Sequence, residues 1–268
     1  MSLTLGVFDS GFGGLTVLHA MLPLFPGTRC IYLGDTARLP YGSKSRETIA
    51  RYAVSATEFL QDQGADYLVI ACNTASALAL DAIRAAANVP VLGVIETGAA
   101  AAAEVSSNKS AIVLATSATI ESHAYAGACA ELGVRVLEKA CPLLVPLVEE
   151  GWADHDVTSE VVRIYLEEAL RAVSLEKIAP DTLLLGCTHY PLLRKMFERH
   201  VPAGMRIVDS ADVTAARAAE ILAGRIPNSP APATCEFFVT DSIARFEQLG
   251  GRFLGRPVSS VTHVDLGE

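Results

Sequence analysis

No secretory leader is visible in the sequence, and no apolar run of membrane-spanning length is found in it. The first residues carry no basic region, and Asp9 interrupts the chain before an apolar segment can develop. A transmembrane helix needs about 20 consecutive apolar residues, and no such run occurs. These two absences predict a cytoplasmic protein that has no membrane partner.

Positive charge is also scarce. The chain has 21 Lys and Arg against 30 Asp and Glu, which gives a formal net charge of −9 at pH 7. A general nucleic-acid-binding protein needs a basic face, so this balance argues against that class. The field of the whole protein will not attract an anionic substrate either, and local hydrogen-bond donors would have to hold one.

No two of the six cysteines form a Cys-x-x-Cys pair, which disfavours a structural zinc site. Without a secretory leader, free thiols are expected rather than disulfides. Most free cysteines are small core residues. That interpretation is assigned to four of them: Cys30, Cys129, Cys141 and Cys235. Cys72 and Cys187 differ because each ends an apolar run.

Short apolar runs alternate with segments of helical periodicity, as in βα units around a mostly parallel sheet. With 51% hydrophobic residues, the chain of 268 residues can build one large core or two smaller ones. The predicted class is therefore α/β. The predicted strands are 3–8, 30–33, 67–71, 91–94, 111–114, 134–137, 183–185 and 206–208. The predicted helices are 15–24, 45–63, 75–87, 98–105, 122–132, 159–173 and 192–199, and one more strand and helix follow the Pro-rich stretch 226–234.

Two pairs of segments resemble each other. "YLVIACNTASALAL" and "TLLLGCTHYPLLRK" both run from an apolar strand through a cysteine and polar residues into a predicted helix. "GVFDSGFGGLTVL" and "IVLATSATIESHAY" share a fainter pattern of strand, small and hydroxyl residues, then helix. Two similar α/β halves would explain the repetition, and chance similarity of βα units is the alternative.

Polar residues stand where several predicted strands end. In parallel α/β sheets, ligands bind beyond the carboxyl ends of the strands. The candidates are Asp9, Ser10, Tyr41, Gly42, Cys72, Asn73, Thr74, Thr116, Thr119, Cys187, Thr188 and His189. "DSGFGGLT" lacks the third small residue of the dinucleotide fingerprint and a Walker lysine, which disfavours a phosphate loop. Its backbone N–H groups can still hold a carboxylate.

Cys72 and Cys187 each lie between a predicted strand end and a helix start, where the helix dipole and free N–H groups favour a thiolate. His189 is two residues past Cys187 and is expected to orient or tune that thiol. A metal site has too few ligands here, and a redox pair would need two adjacent thiols. A cysteine hydrolase would use only Cys187 and His189 and leave Cys72 unexplained.

Proton transfer at a stereocentre accounts for both thiols, because one base removes a proton and the other returns one on the opposite face. The α-proton of an amino acid is far less acidic than a thiol, so the site has to stabilise a carbanion in a dry pocket. Neutral donors at the strand ends can supply that stabilisation, and they comprise Ser10, Asn73, Thr74, Thr116, Thr119 and Thr188.

The motifs "FDSGFGGLTVL", "YLGDTARLPYG", "VIACNTAS", "ATSATIES" and "LLLGCTHYPLL" together resemble the glutamate racemase family. The resemblance implies a cofactor-independent interconversion of L- and D-glutamate that supplies D-glutamate for peptidoglycan, and hence for cell-wall biogenesis and cell shape. It also implies two α/β domains related by a pseudo-twofold axis, with the site in the cleft between them. The first domain would comprise 1–97 and 207–268 and the second 98–206. Family members are commonly homodimers.

The resemblance assigns roles residue by residue. Cys72 and Cys187 would be the acid/base pair, with Asp9 supporting Cys72 and His189 supporting Cys187. Glu149 is the expected partner of His189. No metal is implied. Substrate contacts would come from Asp9, Ser10, Tyr41, Gly42, Asn73, Thr74, Thr116, Thr119, Thr188 and His189.

Some alternatives remain open. A one-residue slip would make Glu150 the partner of His189 instead of Glu149. An aspartate or hydantoin racemase of the same superfamily would share both cysteines, although glutamate typically stands there in place of His189. A protein that merely binds an acidic amino acid would need neither cysteine.

The sequence also departs from the family pattern. Ala115 and His123 stand where glycine is common, and Thr97 stands where proline is frequent.

Overall fold

The computed structural model describes residues 3–267, apart from the side chain of residue 43. Strands and helices alternate along the first third of the chain. They are β1 (Thr4–Asp9), α1 (Leu15–Met21), β2 (Arg29–Gly34), α2 (Arg46–Asp62), β3 (Tyr67–Ile70), α3 (Asn73–Ala86) and β4 (Val91–Gly93). Short 3₁₀ helices cover Leu22–Leu24, Thr36–Arg38 and Tyr41–Ser43.

The alternation continues to the end of the chain. The elements are α4 (Val94–Val105), β5 (Ser110–Ala115), α5 (Ser117–Glu121), α6 (Ala124–Glu131), β6 (Arg135–Ala140), α7 (Leu144–Glu149), α8 (Asp156–Glu176), β7 (Thr182–Gly186), α9 (Arg194–His200), β8 (Arg206–Asp209), α10 (Ser210–Leu222), β9 (Thr234–Val239), α11 (Ile243–Leu254) and β10 (Val261–His263). A further 3₁₀ helix at Tyr190–Leu193 precedes α9.

The strands form two sheets in which the pairings are parallel. The first sheet has the order β10-β9-β2-β1-β3-β4, and the second has the order β6-β5-β7-β8. The order β2-β1-β3-β4 is repeated by β6-β5-β7-β8, so β1 corresponds to β5 and β3 to β7. These are the strands of the two similar sequence pairs. The predicted α/β fold with two mostly parallel sheets flanked by helices is therefore confirmed.

Several predicted boundaries are wrong. The predicted helix 122–132 is shorter in the structure, where α6 covers Ala124–Glu131. A separate helix, α5, ends at Glu121, and the left-handed backbone of His123 (φ 53°) lies between the two. Glycine adopts that conformation most easily, so His123 occupies a position whose backbone suits glycine. Helix α4 begins at Val94 rather than at 98. The sequence patterns did not predict α7, which contains Pro146, nor α10 and the three-residue strand β10.

Strand β8 belongs to the second sheet over its whole length, because its residues 206–209 pair with β7. The predicted domain boundary between 206 and 207 thus falls inside β8. The division of the chain into domains stays a prediction.

Two helices join the sheets, and each helix follows the last strand of the repeated four-strand order. Helix α4 follows β4 and α10 follows β8, and the two helices pack against each other. Between them, the buried hydroxyls of Thr97 and Thr214 lie 2.6 Å apart. Within residues 3–267, no helix has the length and apolar character needed to cross a membrane.

Candidate active site

Strand β1 ends at Asp9, and the glycine loop 11–14 follows directly. The Asp9 Oδ2 atom accepts a hydrogen bond from the Gly11 N–H at 2.8 Å, and Oδ1 is buried without a partner among residues 3–267. Burial raises the pKa of Asp9, while His189 and the N–H groups of Gly14 and Gly11 act in the opposite direction. The carboxyl group is thus held rigidly by the loop but is poorly solvated.

Cys72 is the N-cap residue of α3, immediately beyond β3. Its Sγ accepts from the Ala75 N–H at 3.4 Å, and the thiol donates to Ser10 Oγ at 3.3 Å. Burial and the neighbouring Asp9 raise the pKa of Cys72 to about 12, while the Ala75 N–H that donates to Sγ acts in the opposite direction. Burial at this position thus opposes the thiolate that the start of α3 is expected to favour.

Cys187 follows β7, the strand that corresponds to β3. A 3₁₀ helix at Tyr190–Leu193 comes next, so no α-helix starts at this thiol, contrary to expectation. His189 has helical rather than extended backbone angles (φ −81°, ψ −25°), yet its Nδ1 lies 3.9 Å from the Cys187 Sγ. On the other side of the ring, Nε2 lies 3.1 Å from Glu149 Oε1. Glu149, and not Glu150, thus contacts the imidazole.

The imidazole of His189 is buried between these two groups. Burial alone lowers the pKa of His189, but its hydrogen bonds to Cys187 and Glu149 raise that pKa to about 10. The ring therefore carries a positive charge at neutral pH. This charge lies 3.9 Å from the Cys187 Sγ.

The glycine loop after β1 packs against the segment after β7. A Cβ atom on Gly13 would lie 2.1 Å from Thr188 Oγ1 and 2.6 Å from His189 Nδ1, so only glycine fits there. A Cβ on Gly14 would lie 2.5 Å from the Asp9 Cβ. Two consecutive glycines of the loop therefore make different contacts. Gly13 contacts the segment after Cys187, and Gly14 contacts Asp9. Thr16 Oγ1 also donates to the Thr188 carbonyl at 2.9 Å.

Three threonines form a second bridge between the sheets. The Oγ1 atoms of Thr74, Thr116 and Thr119 lie 3.0–3.3 Å apart, with Thr74 after β3 and the other two after β5. Gly42 is close to this group, because a Cβ there would lie 3.9 Å from the Thr116 Cβ. The Tyr41 hydroxyl donates to the buried carboxylate of Asp35. The Tyr41 side chain is therefore engaged within the protein, and the Tyr41 carbonyl accepts from the Lys44 N–H at 3.1 Å.

Asn73 is buried beside Cys72 and contacts a tyrosine that the sequence did not single out. The Tyr125 hydroxyl donates to Asn73 Oδ1 at 2.6 Å. Asn73 Nδ2 is buried and has no hydrogen-bond partner within the described part of the chain. The only sequence signal for Tyr125 is its position three residues past the motif "ATSATIES".

Two residues of α11 also reach the site, and the sequence patterns did not predict them. The ring of Phe253 packs edge-on against His189 with centroids 5.1 Å apart. Arg245 Nη2 lies 3.6 Å from Glu149 Oε2, the oxygen that does not contact His189. No sequence pattern relates Phe253 to His189 or Arg245 to Glu149, which stand 64 and 96 residues earlier in the chain.

Every predicted site residue thus falls into three connected groups: Asp9, Ser10 and Cys72; Tyr41, Gly42, Asn73, Thr74, Thr116 and Thr119; and Glu149, Cys187, Thr188 and His189. The arrangement has one thiol at the end of each corresponding strand, and each thiol has its own hydrogen-bonding partner. Among residues 3–267, no three His, Cys, Asp or Glu side chains are grouped as metal ligands would be. Buried thiols with charged neighbours can exchange protons with a ligand between them.

Comparison with known proteins places the chain in a family. Residues 16–218 match the family described as Asp/Glu/Hydantoin racemase. A glutamate racemase of Koribacter versatilis (strain Ellin345) is 52% identical over 286 aligned residues, which cover 98% of this chain and 97% of that protein.

Solved structures agree in fold over nearly the whole chain. The crystal structure of glutamate racemase isoform RacE1 from Bacillus anthracis has a TM-score of 0.90 at 37% identity, covering 99% of this chain and 98% of that one. The glutamate racemase of Francisella tularensis, solved in complex with D-glutamate, has a TM-score of 0.88 at 32% identity with the same coverage. The chain therefore belongs to the Asp/Glu/Hydantoin racemase family of isomerases.

Proposed function

We propose that this protein interconverts L- and D-glutamate without a cofactor, by proton transfer between the substrate α-carbon and two cysteines. The observation that carries the proposal is the placement of Cys72 and Cys187 after the corresponding strands β3 and β7 of two sheets with repeated strand order. A planar carbanion between two such thiols can be protonated from either face. The glutamate specificity rests on the named relatives, which are glutamate racemases.

The two thiols have different charged neighbours, Asp9 beside Cys72 and His189 beside Cys187. The pKa of Cys72 is raised to about 12, so this residue begins as a thiol that can donate a proton. Cys187 lies 3.9 Å from Nδ1 of His189, whose pKa is raised to about 10, so a cationic group faces this sulfur. In one direction, the Cys187 thiolate takes the α-proton and the Cys72 thiol supplies one to the opposite face. The reverse direction starts from a Cys72 thiolate and a Cys187 thiol.

The supporting residues act through these thiols. Asp9 raises the pKa of Cys72 through its proximity, and Ser10 accepts the Cys72 proton in a hydrogen bond. Glu149 holds His189 so that Nδ1 faces Cys187. The bound substrate would contact Asp9, Ser10, Tyr41, Gly42, Asn73, Thr74, Thr116, Thr119, Thr188 and His189. Most of these donors are neutral, so they can hold carboxylates and a developing carbanion in a negatively charged protein.

The wider context follows from the family resemblance. We infer that the product D-glutamate supplies peptidoglycan synthesis, that the protein is cytoplasmic, and that it forms a homodimer. The proposed domains are 1–97 with 207–268, and 98–206. An aspartate or hydantoin racemase is the second candidate, because the matching family includes those activities.

Deuterium exchange tests the proposal directly. Purified protein is incubated in D2O with L-glutamate, L-aspartate or a hydantoin, with no added cofactor, and optical rotation and α-deuterium are followed. Loss of rotation with α-deuteration is expected for glutamate alone. Racemisation of aspartate or the hydantoin but not glutamate would support the second candidate. Absence of both signals for all three substrates would refute the racemase proposal.

A further inference from the structure

A buried tyrosine links the two cysteine-bearing segments. Tyr125 is the second residue of α6, and its side chain is fully buried. Its hydroxyl donates to Asn73 Oδ1 at 2.6 Å, and Asn73 directly follows Cys72. Its ring packs on Gly186, which directly precedes Cys187. One side chain therefore contacts the neighbours of both thiols.

The Tyr125 ring fits because the two backbone positions that it packs against are glycines. A Cβ atom on Gly186 would lie 2.8 Å from Tyr125 Cε2, and a Cβ on Gly98 of α4 would lie 3.1 Å from Cε1. Side chains at either position would displace the ring, since such Cβ contacts are closer than van der Waals packing allows. The two glycines therefore fix the position of the tyrosine hydroxyl.

The hydroxyl in turn fixes the orientation of the Asn73 amide. Burial keeps the phenol in its neutral form by raising the pKa of Tyr125, so it can donate a proton to Oδ1. With Oδ1 occupied, the amide nitrogen points elsewhere, and Nδ2 is the buried atom that has no partner within residues 3–267. A buried donor without a partner is costly, and it is retained where a ligand satisfies it.

We propose that Tyr125 is a positioning residue that orients the Asn73 amide, so that its NH2 group donates to a carboxylate of the bound amino acid next to Cys72. The inference rests on the proposed function, which supplies the carboxylate ligand. It assigns Tyr125 to recognition of the substrate, and not to proton transfer. Loss of the hydroxyl should therefore raise KM more than it lowers kcat, and it should do so in both reaction directions.

A double-mutant cycle tests this inference. Tyr125→Phe, Asn73→Ala and the combined variant are compared with the wild type by KM and kcat for both glutamate enantiomers and by calorimetric binding of D-glutamate. Tyr125→Phe is expected to raise KM and Kd about tenfold, the effect of losing one hydrogen bond that holds a buried donor in place. Because the tyrosine acts through the asparagine, adding Tyr125→Phe to Asn73→Ala should cause little further loss.

Tyr165→Phe is the matched control. Tyr165 is also buried, and its hydroxyl accepts a hydrogen bond from the Leu143 N–H at 3.3 Å on the far side of the second sheet. This variant should lose a similar amount of thermal stability while keeping the wild-type KM. Additive effects of Tyr125→Phe and Asn73→Ala, or an unchanged KM in Tyr125→Phe, would overturn the inference while leaving racemisation by the wild type intact. A wild type that neither racemises nor binds glutamate would instead refute the proposed function, and the inference with it.

Discussion

At the scale of single residues, His189 is the most tightly constrained group of the site. Its two nitrogens face Cys187 and Glu149, its ring packs against Phe253, and Gly13 leaves just enough room beside Nδ1. These contacts come from four separate parts of the chain. The charge on this ring is therefore a property of the assembled fold, and it can be measured without any substrate.

The titration of His189 should follow from its partners. Its pKa is raised to about 10 from the ordinary value of 6.5. The stabilisation that this charge contributes is complete below 6.5 and is lost as the pH rises through about 10. Glu149→Gln removes an anionic hydrogen-bond acceptor and should lower the midpoint of the His189 ring signals in an NMR titration. Glu150→Gln is the control and should leave the midpoint unchanged.

Substitution of the cysteines tests whether both of them act as acid/base groups. Cys72→Ala and Cys187→Ala should each lower kcat for racemisation by about 10³-fold or more, because each removes one of two acid/base groups. His189→Asn should impair the enantiomer deprotonated by Cys187 more than the other enantiomer. Full turnover by either cysteine variant would contradict the two-base scheme, and equal loss in both directions would contradict the pairing of His189 with Cys187.

Gly13→Ala should impair catalysis by steric displacement. The new methyl group would lie 2.1 Å from Thr188 Oγ1, so either the loop or the Cys187 segment has to move. A shift of about 1 Å near reacting atoms typically costs about 10²-fold in rate, and a loss of that order in kcat/KM is expected. Gly127→Ala is the control, since a Cβ there meets no atom within 4 Å. Equal activity of both variants would show that the contact is unimportant.

At the scale of elements, strand ends were predictable and some helices were not. Asp9, Cys72 and Cys187 lie at the ends of their strands as expected, because a buried parallel strand is a short apolar run that stops where polar residues begin. Helix α10 is not evident from the sequence because its buried face consists of Ser, Ala and Thr, with Leu222 its one large apolar residue, so few apolar residues mark the helical period. The His189–Glu149 contact was expected only from the family resemblance. Arg245, Phe253 and Tyr125 reach the site through tertiary packing, which no local pattern encodes.

The N-cap of α10 gives an element-scale prediction. Asp209 accepts from the Ala211 N–H at 2.8 Å, yet burial raises its pKa from 3.8 to about 6. Its contribution to stability is therefore complete below pH 3.8 and is lost as the pH rises through 6. Asn caps a helix equally well without the buried charge. Asp209→Asn should gain stability over the wild type between about pH 4 and 6, by at most about 3 kcal/mol, since one pKa unit is about 1.36 kcal/mol. Urea unfolding at several pH values measures this, and a pH-independent difference would contradict it.

At the scale of the whole molecule, the two sheets are held together at the site by residues from distant parts of the chain. Helix α11 packs with the first sheet through buried Phe246, while its Arg245 reaches Glu149, which follows the second sheet's β6. The Arg245 side chain is 49% exposed, so the ion pair is screened by solvent and by salt.

Arg245→Ala should therefore have a modest effect that depends on ionic strength. A decrease in kcat of about two- to fivefold is expected at low salt, in line with the small energies of partly exposed ion pairs. The difference from the wild type should shrink at about 1 M NaCl, where charges are strongly screened. Arg217→Ala, which removes an exposed pair with Glu220 elsewhere on the surface, is the control and should keep full activity. A salt-independent loss would point to a packing role of the arginine side chain.

The first sheet takes β1–β4 from the beginning of the chain and β9 and β10 from its end, whereas β5–β8 of the second sheet are consecutive. During synthesis on the ribosome, the second sheet can therefore pair all its strands while α11 has yet to be translated. Cys72, Cys187 and Glu149 all emerge before Arg245 and Phe253, which complete the surroundings of His189. The His189 imidazole therefore acquires its final environment among the last events of folding. A nascent chain carries both thiols before the surroundings of His189 are complete.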